Sequence, residues 1–127
     1  MLRPLSTALF VLAATITATA GTDHVHGAKH GGLVVATSGH HNVELVPADG
    51  VLQVYVTDHD GEPEDVGGAK ASAAVLAGGK KEEITLKPEW GNLLTGTGSY
   101  KSGKGAVIVI TLTLPDHKPE QARFKLD

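Results

Sequence analysis

The feature that most constrains this chain is a repeated unit: a short run of β-branched and aliphatic residues, closed by Gly, Asp or Pro, that recurs roughly every ten residues. The runs are Leu33–Thr37, Asn42–Pro47, Val51–Thr57, Lys70–Ala77, Glu83–Lys87, Asn92–Gly96, Ala106–Leu114 and Gln121–Leu126. Several alternate in character with the period of two that a half-buried strand requires. In the second run Val43 and Leu45 oppose Glu44 and Val46, and in the third Leu52, Val54 and Val56 oppose Val51, Gln53, Tyr55 and Thr57. In the last, Ala122, Phe124 and Leu126 share one face. Asp49-Gly50 between two such runs is a tight-hairpin signal. Lys70–Ala77 has the alanine content of a helix, but its flanking glycines and its β-rich neighbours favour a strand. No segment carries a long helical period. The expectation is an all-β fold: a small antiparallel β-sandwich, immunoglobulin-like in architecture, of seven to eight strands. A small closed barrel is the alternative.

Residues 1–20 stand apart from this pattern. Arg3 supplies a short positive region, Leu5 to Ile16 an apolar stretch, and Ala18-Thr19-Ala20 a small-x-small cleavage site. The expected organisation is a signal peptide over 1–20, a flexible His-rich arm over 21–32 and a β domain over 33–127. The apolar stretch is too short to span a bilayer comfortably, nothing later in the chain is apolar enough, and no Cys stands at the cleavage point for a lipid anchor. These features point to a periplasmic protein whose mature chain does not insert into a membrane. Cleavage removes Arg3 and no acid, leaving the mature chain one charge more negative than the −3 of the whole. With no basic stripe or basic amphipathic helix, neither nucleic acid nor an anionic lipid surface is a fitting partner. The chain has no Cys, so the domain must stand on its core without disulfides. The sole Met leaves with the signal. Any metal site must therefore use imidazole, carboxylate, amide or the amino terminus, which suits Cu(II) or Zn(II), with Ni(II) or Co(II) as further candidates, and not Cu(I).

The chemistry is concentrated early. Of seven histidines, His24, His26, His30, His40 and His41 fall between residues 24 and 41. On a flexible arm His24, His26 and His30 can converge on one ion, with Asp23 beside them to complete it. Cleavage after Ala20 leaves His24 fourth; cleavage after Gly21 leaves it third, where the free amine, two amides and the imidazole form a square-planar set for Cu(II) or Ni(II). If Asn42 opens a strand, His40, Asn42 and Glu44 share one side and His41 the other, so His40 and Glu44 can contribute to one site with His41 nearby. Asp58-His59-Asp60 offers an imidazole between two carboxylates, although the same tripeptide suits a turn in which Asp caps backbone amides. His117, between Pro115 and Pro119, reads as a solvated turn residue. Enzyme signatures are absent: no nucleophile elbow surrounds a Ser, and there is no HExxH, phosphate loop or dinucleotide fingerprint.

The pattern His30-Gly31-Gly32-x-Val34, then His40/His41-x-x-Glu44-Leu45-Val46, then Asp49-Gly50-x-Leu52-x-x-Tyr55-Val56 resembles small periplasmic His-rich β-domain proteins of Gram-negative bacteria associated with heavy-metal efflux. It is similar, too, to a β domain carried by some periplasmic adaptor subunits of those pumps. The likeness runs from about His24 to the C-terminus. It implies a β domain that handles divalent or copper ions, with the His-Gly-Gly segment and the His-x-x-Glu turn as the residues carried over. The coiled-coil hairpin and lipoyl-like regions of adaptors have no counterpart here, which implies a free-standing module. The sequence thus favours a non-enzymatic protein that binds transition-metal ions, for buffering or for delivery to a periplasmic efflux component, through His24, His26, His30, His40, His41, Glu44 and His59. The rival reading is a non-catalytic interaction module with incidental histidines.

Overall fold

The computed structural model describes residues 27–101, 103 and 105–126. The expected signal peptide and the candidate ligands His24 and His26 lie outside the described residues. The described residues form eight strands: β1 (Leu33–Ala36), β2 (Asn42–Ala48), β3 (Val51–Thr57), β4 (Lys70–Ala77), β5 (Lys80–Trp90), β6 (Leu93–Thr97), β7 (Val107–Thr113) and β8 (Glu120–Lys125). The all-β expectation therefore holds, with no helix among the described residues. None of these residues forms a helix long and apolar enough to cross a membrane.

Every pairing is antiparallel, and the strands form one sheet in the order β1-β2-β3-β6-β5-β4-β7-β8. An immunoglobulin-like sandwich has two separate sheets; here a single sheet curls until β1 and β8 approach each other, nearer to the closed-barrel alternative. The reason lies in β5. Sequence pattern suggests a strand over Glu83–Lys87, with Lys80-Lys81 in the preceding turn and Pro88 in the following loop. Instead Gly78 and Gly79, both at positive φ, complete the turn alone, so that Ala77 pairs directly with Lys80. At its other end the strand continues through Pro88 by means of a bulge between Pro88 and Trp90, where a missing N–H is tolerated. The lengthened strand pairs with β4 along Lys80–Leu86 and with β6 along Lys87–Trp90. One strand thereby joins the two halves of the sheet.

Turning that corner brings β5 hard against β6. A Cβ on Gly96 would lie 2.7 Å from side-chain carbons of both Ile84 and Leu86 and 2.8 Å from the Thr85 carbonyl. Only a residue without a side chain admits this approach. Inside, the alternating residues meet: Val43 and Leu45 of β2, Leu52, Val54 and Val56 of β3, Ile84 and Leu86 of β5, Ile108, Ile110 and Leu112 of β7, and Ala122 and Phe124 of β8 are all buried. Tyr100 fastens the β2–β3 hairpin to the loop after β6. Its buried hydroxyl lies 2.6 Å from the Ala48 carbonyl and 2.8 Å from that of Val51, and burial raises its pKa above the usual phenol value.

Replacing Gly96 by Ala is expected to cost about 1–3 kcal/mol through overpacking, read as a lower urea midpoint with unchanged slope. Gly27→Ala, where a Cβ meets nothing within 4 Å, is expected to stay within about 0.5 kcal/mol of the parent.

Candidate functional site

Two histidine–glutamate pairs carry the polar chemistry of the described residues. The first lies on the outer face of the sheet. Glu44 points outward between Val34 of β1 and Tyr55 of β3, its cross-strand neighbours. It is nevertheless buried, because residues 29–32 fold over it. Its Oε1 accepts the Lys29 amide at 3.1 Å and faces His30 Nδ1 at 3.0 Å. Its Oε2 accepts the amides of His30 at 2.8 Å and Gly32 at 2.9 Å. The His30 ring stacks flat on Tyr55, with ring centres 3.6 Å apart and planes 4° from parallel. Lys29 Nζ donates to the Gly61 carbonyl at 2.7 Å. Gly27, Lys29, His30, Tyr55, Pro63 and Asn92 contribute to the walls of a cleft of about 210 Å³ at this place.

Burial by itself raises the pKa of Glu44. The His30 side chain and the Gly32, His30 and Lys29 amides outweigh it and hold the carboxyl below its usual value. All four donors favour the ionised form. The same donors occupy both oxygens, so Glu44 serves here as the acceptor that orients His30. With Nδ1–H turned to the carboxylate, His30 Nε2 is the nitrogen left to meet a metal ion, the arrangement found behind many metal-bound imidazoles.

The second pair lies where the sheet edges meet. His41, just before β2, has the parity of inward-facing Val43, and its Nδ1 lies 2.8 Å from Glu120 Oε1 on β8. Thr37 Oγ1 donates to that same oxygen at 2.7 Å. Glu120 is only 4% exposed, and its Oε2 is buried with no hydrogen-bond partner among the described residues. On the other side of the His41 ring, Nε2 is 4.0 Å from Glu64 Oε1. The His117 ring sits edge-on to it at 5.8 Å, with Nδ1 2.8 Å from the Pro115 carbonyl.

The remaining candidates are placed differently. His40 is exposed and adopts a φ of 68°, so the alternation of β2 does not extend back to it and it does not join Glu44 on one face. His59 is 75% exposed, with Nε2 3.3 Å from Asp60 Oδ2. Asp58 caps the Asp60 and Glu62 amides, each at 2.9 Å, in the turn reading of that tripeptide. Chiefly through the Glu62 amide, its pKa is lowered. Glu64, Glu120 and the role of His117 are missed by sequence reasoning. The available signal is parity: Glu120 stands in register with Ala122, Phe124 and Leu126, a carboxylate on an apolar face. No three His or carboxylate groups among the described residues already surround a common point. Comparison with protein-family models, with curated proteins and with solved structures returned no match.

Glu44→Gln is expected to loosen residues 29–32 by on the order of 1–3 kcal/mol, seen as faster amide exchange at His30 and Gly32 with the core unaffected. The pH dependence has a definite sign. A carboxyl with a lowered folded pKa stabilises the docked arm above its unfolded value and loses that effect as pH falls through the folded one. Protection of those two amides should therefore be full at neutral pH and collapse below about 4.5. Loss of protection on raising the pH from 5 to 8 would contradict this.

Proposed function

We propose that this chain binds divalent transition-metal ions, Cu(II) or Zn(II) first and Ni(II) or Co(II) as alternatives, through its histidines. The single observation that carries the reading is His30, whose Nδ1 is tied to Glu44 and whose ring rests on Tyr55. A bare Nε2 on an oriented ring loses less rotational freedom on binding than one on a free arm. His24 and His26, four to six residues before it, supply further imidazoles. In this reading Glu44 positions His30 rather than ligating, and His40 and His59 are peripheral. His41 belongs to the second pair. The signal-like character of residues 1–20 supports a periplasmic setting, and the resemblance to proteins of heavy-metal efflux supports a role in buffering ions or passing them to an efflux component. The rival reading, an interaction module, draws on Trp90, which is 66% exposed at the bulged end of β5.

The test compares the full chain with a synthetic peptide of residues 21–32, which has the same three imidazoles without Glu44 or Tyr55. In Zn(II) and Cu(II) titrations the full chain is expected to bind about tenfold tighter or better, and Glu44→Gln to give up most of that advantage. Affinity should fall as the solution is made more acid, because an imidazole must be free of its proton to bind the ion. A chain that binds no tighter than the peptide sinks the reading.

A further inference from the structure

We infer that His41, His117 and Glu64 close around a borderline divalent ion such as Zn(II), a second site that the ion itself completes, with Glu120 as the buried residue that positions His41. The inference rests on the metal-binding reading above, and it moves the defined part of that chemistry from the arm to the seam of the barrel.

Four observations converge there. First, His41 and His117 both have Nδ1 turned to an oxygen, Glu120 Oε1 and the Pro115 carbonyl, each at 2.8 Å. Both therefore keep their N–H on Nδ1 and leave Nε2 as the lone-pair nitrogen. A carboxylate or carbonyl behind a histidine is the arrangement that fixes tautomer and ring direction for a metal. Second, the separation of the rings fits one ion. With metal–nitrogen bonds of about 2.0–2.1 Å in tetrahedral geometry, two imidazole centres stand roughly 5 Å apart; here they are 5.8 Å apart. Third, Glu64 Oε1 lies 4.0 Å from His41 Nε2, too far for a hydrogen bond. A nitrogen and an oxygen bound tetrahedrally to one ion stand roughly 3.4 Å apart, which a small shift of the partly exposed Glu64 side chain would reach. Fourth, Glu120 carries a buried carboxylate whose Oε2 has no partner among the described residues. A carboxylate so placed is costly unless positive charge lies close by, and a cation on the far side of the His41 imidazole supplies it through the ring.

The elements fit the task. His41 is held at the start of β2, with 11% of its side chain exposed, while Glu64 and His117 come from the loops before β4 and before β8. His117 is exposed, so little packing opposes the pivot about its Pro115 contact that aims Nε2 at a shared ion. Two imidazoles and one carboxylate leave the fourth position to water or an incoming ligand.

The experiment uses the full chain and its H24A/H26A/H30A variant, titrated with Zn(II) alone and followed by imidazole ¹⁵N spectra. The triple variant is expected to keep one site. Zinc should shift Nε2 of His41 and His117 while their Nδ1 atoms stay protonated. In the triple background His117→Ala and Glu64→Gln, both at solvent-reached positions, should each weaken zinc about tenfold or more, and Glu120→Gln about tenfold with the Nδ1–H signal of His41 displaced. Amide spectra report whether each variant is folded. Unmoved Nε2 signals at saturating zinc, or unchanged affinity in folded His117→Ala, would overturn the proposal. If the triple variant binds no zinc while the full chain does, this site is refuted and the arm reading stands; if neither binds, both fall.

Discussion

A carboxylate taken out of water costs several kcal/mol unless donors meet it, and that requirement at Glu120 governs how the sheet ends. Residue 120 opens β8 on the inward face, in line with Ala122 and Phe124. Its donors cannot come from its own strand, whose inward neighbours are apolar. They come from the β1–β2 turn: Thr37 and His41 reach the carboxylate, and Gly39 packs so closely that a side chain there would collide with it. The first and last strands are thus brought together by a polar contact between a turn and a strand. The same rule acts on the outer face, where Glu44 escapes the cost of burial by drawing the chain at residues 29–32 over itself.

The strands were legible because their signal is local. A period of two needs only the residues concerned, and Val51–Thr57 and Lys70–Ala77 are strands over those same residues. Closure was not legible, because it depends on contacts between residues far apart. Nothing in the neighbourhood of Gly96 announces that Ile84 and Leu86 will press on it, and nothing around Pro88 announces a bulge. The length of β5, and with it the choice between two sheets and one, was hidden for that reason.

The site was legible in composition and not in geometry. His30, His41 and Glu44 stand out as chemistry-bearing residues in the sequence, yet Glu44 pairs with His30 from the arm and not with His40, because a left-handed residue breaks the strand parity on which the latter grouping relied. His41 finds Glu120, 79 positions away, a distance at which spacing says nothing. Three imidazoles, His30, His41 and His117, end up with the same nitrogen turned to an oxygen. That common orientation comes from three unrelated local structures: a docked arm, a strand start and a turn.

The strand shared by the two halves of the sheet has a consequence for how the molecule fails. In a sandwich, one sheet can loosen while the other keeps its hydrogen bonds. Here Lys80–Leu86 and Lys87–Trp90 belong to one continuous backbone, so a slip of register in either half is carried into the other. Apart from the docked arm and the turn-bound seam, partial opening then has no low-cost form, and disruption anywhere along β5 commits the rest of the domain to a single all-or-none transition.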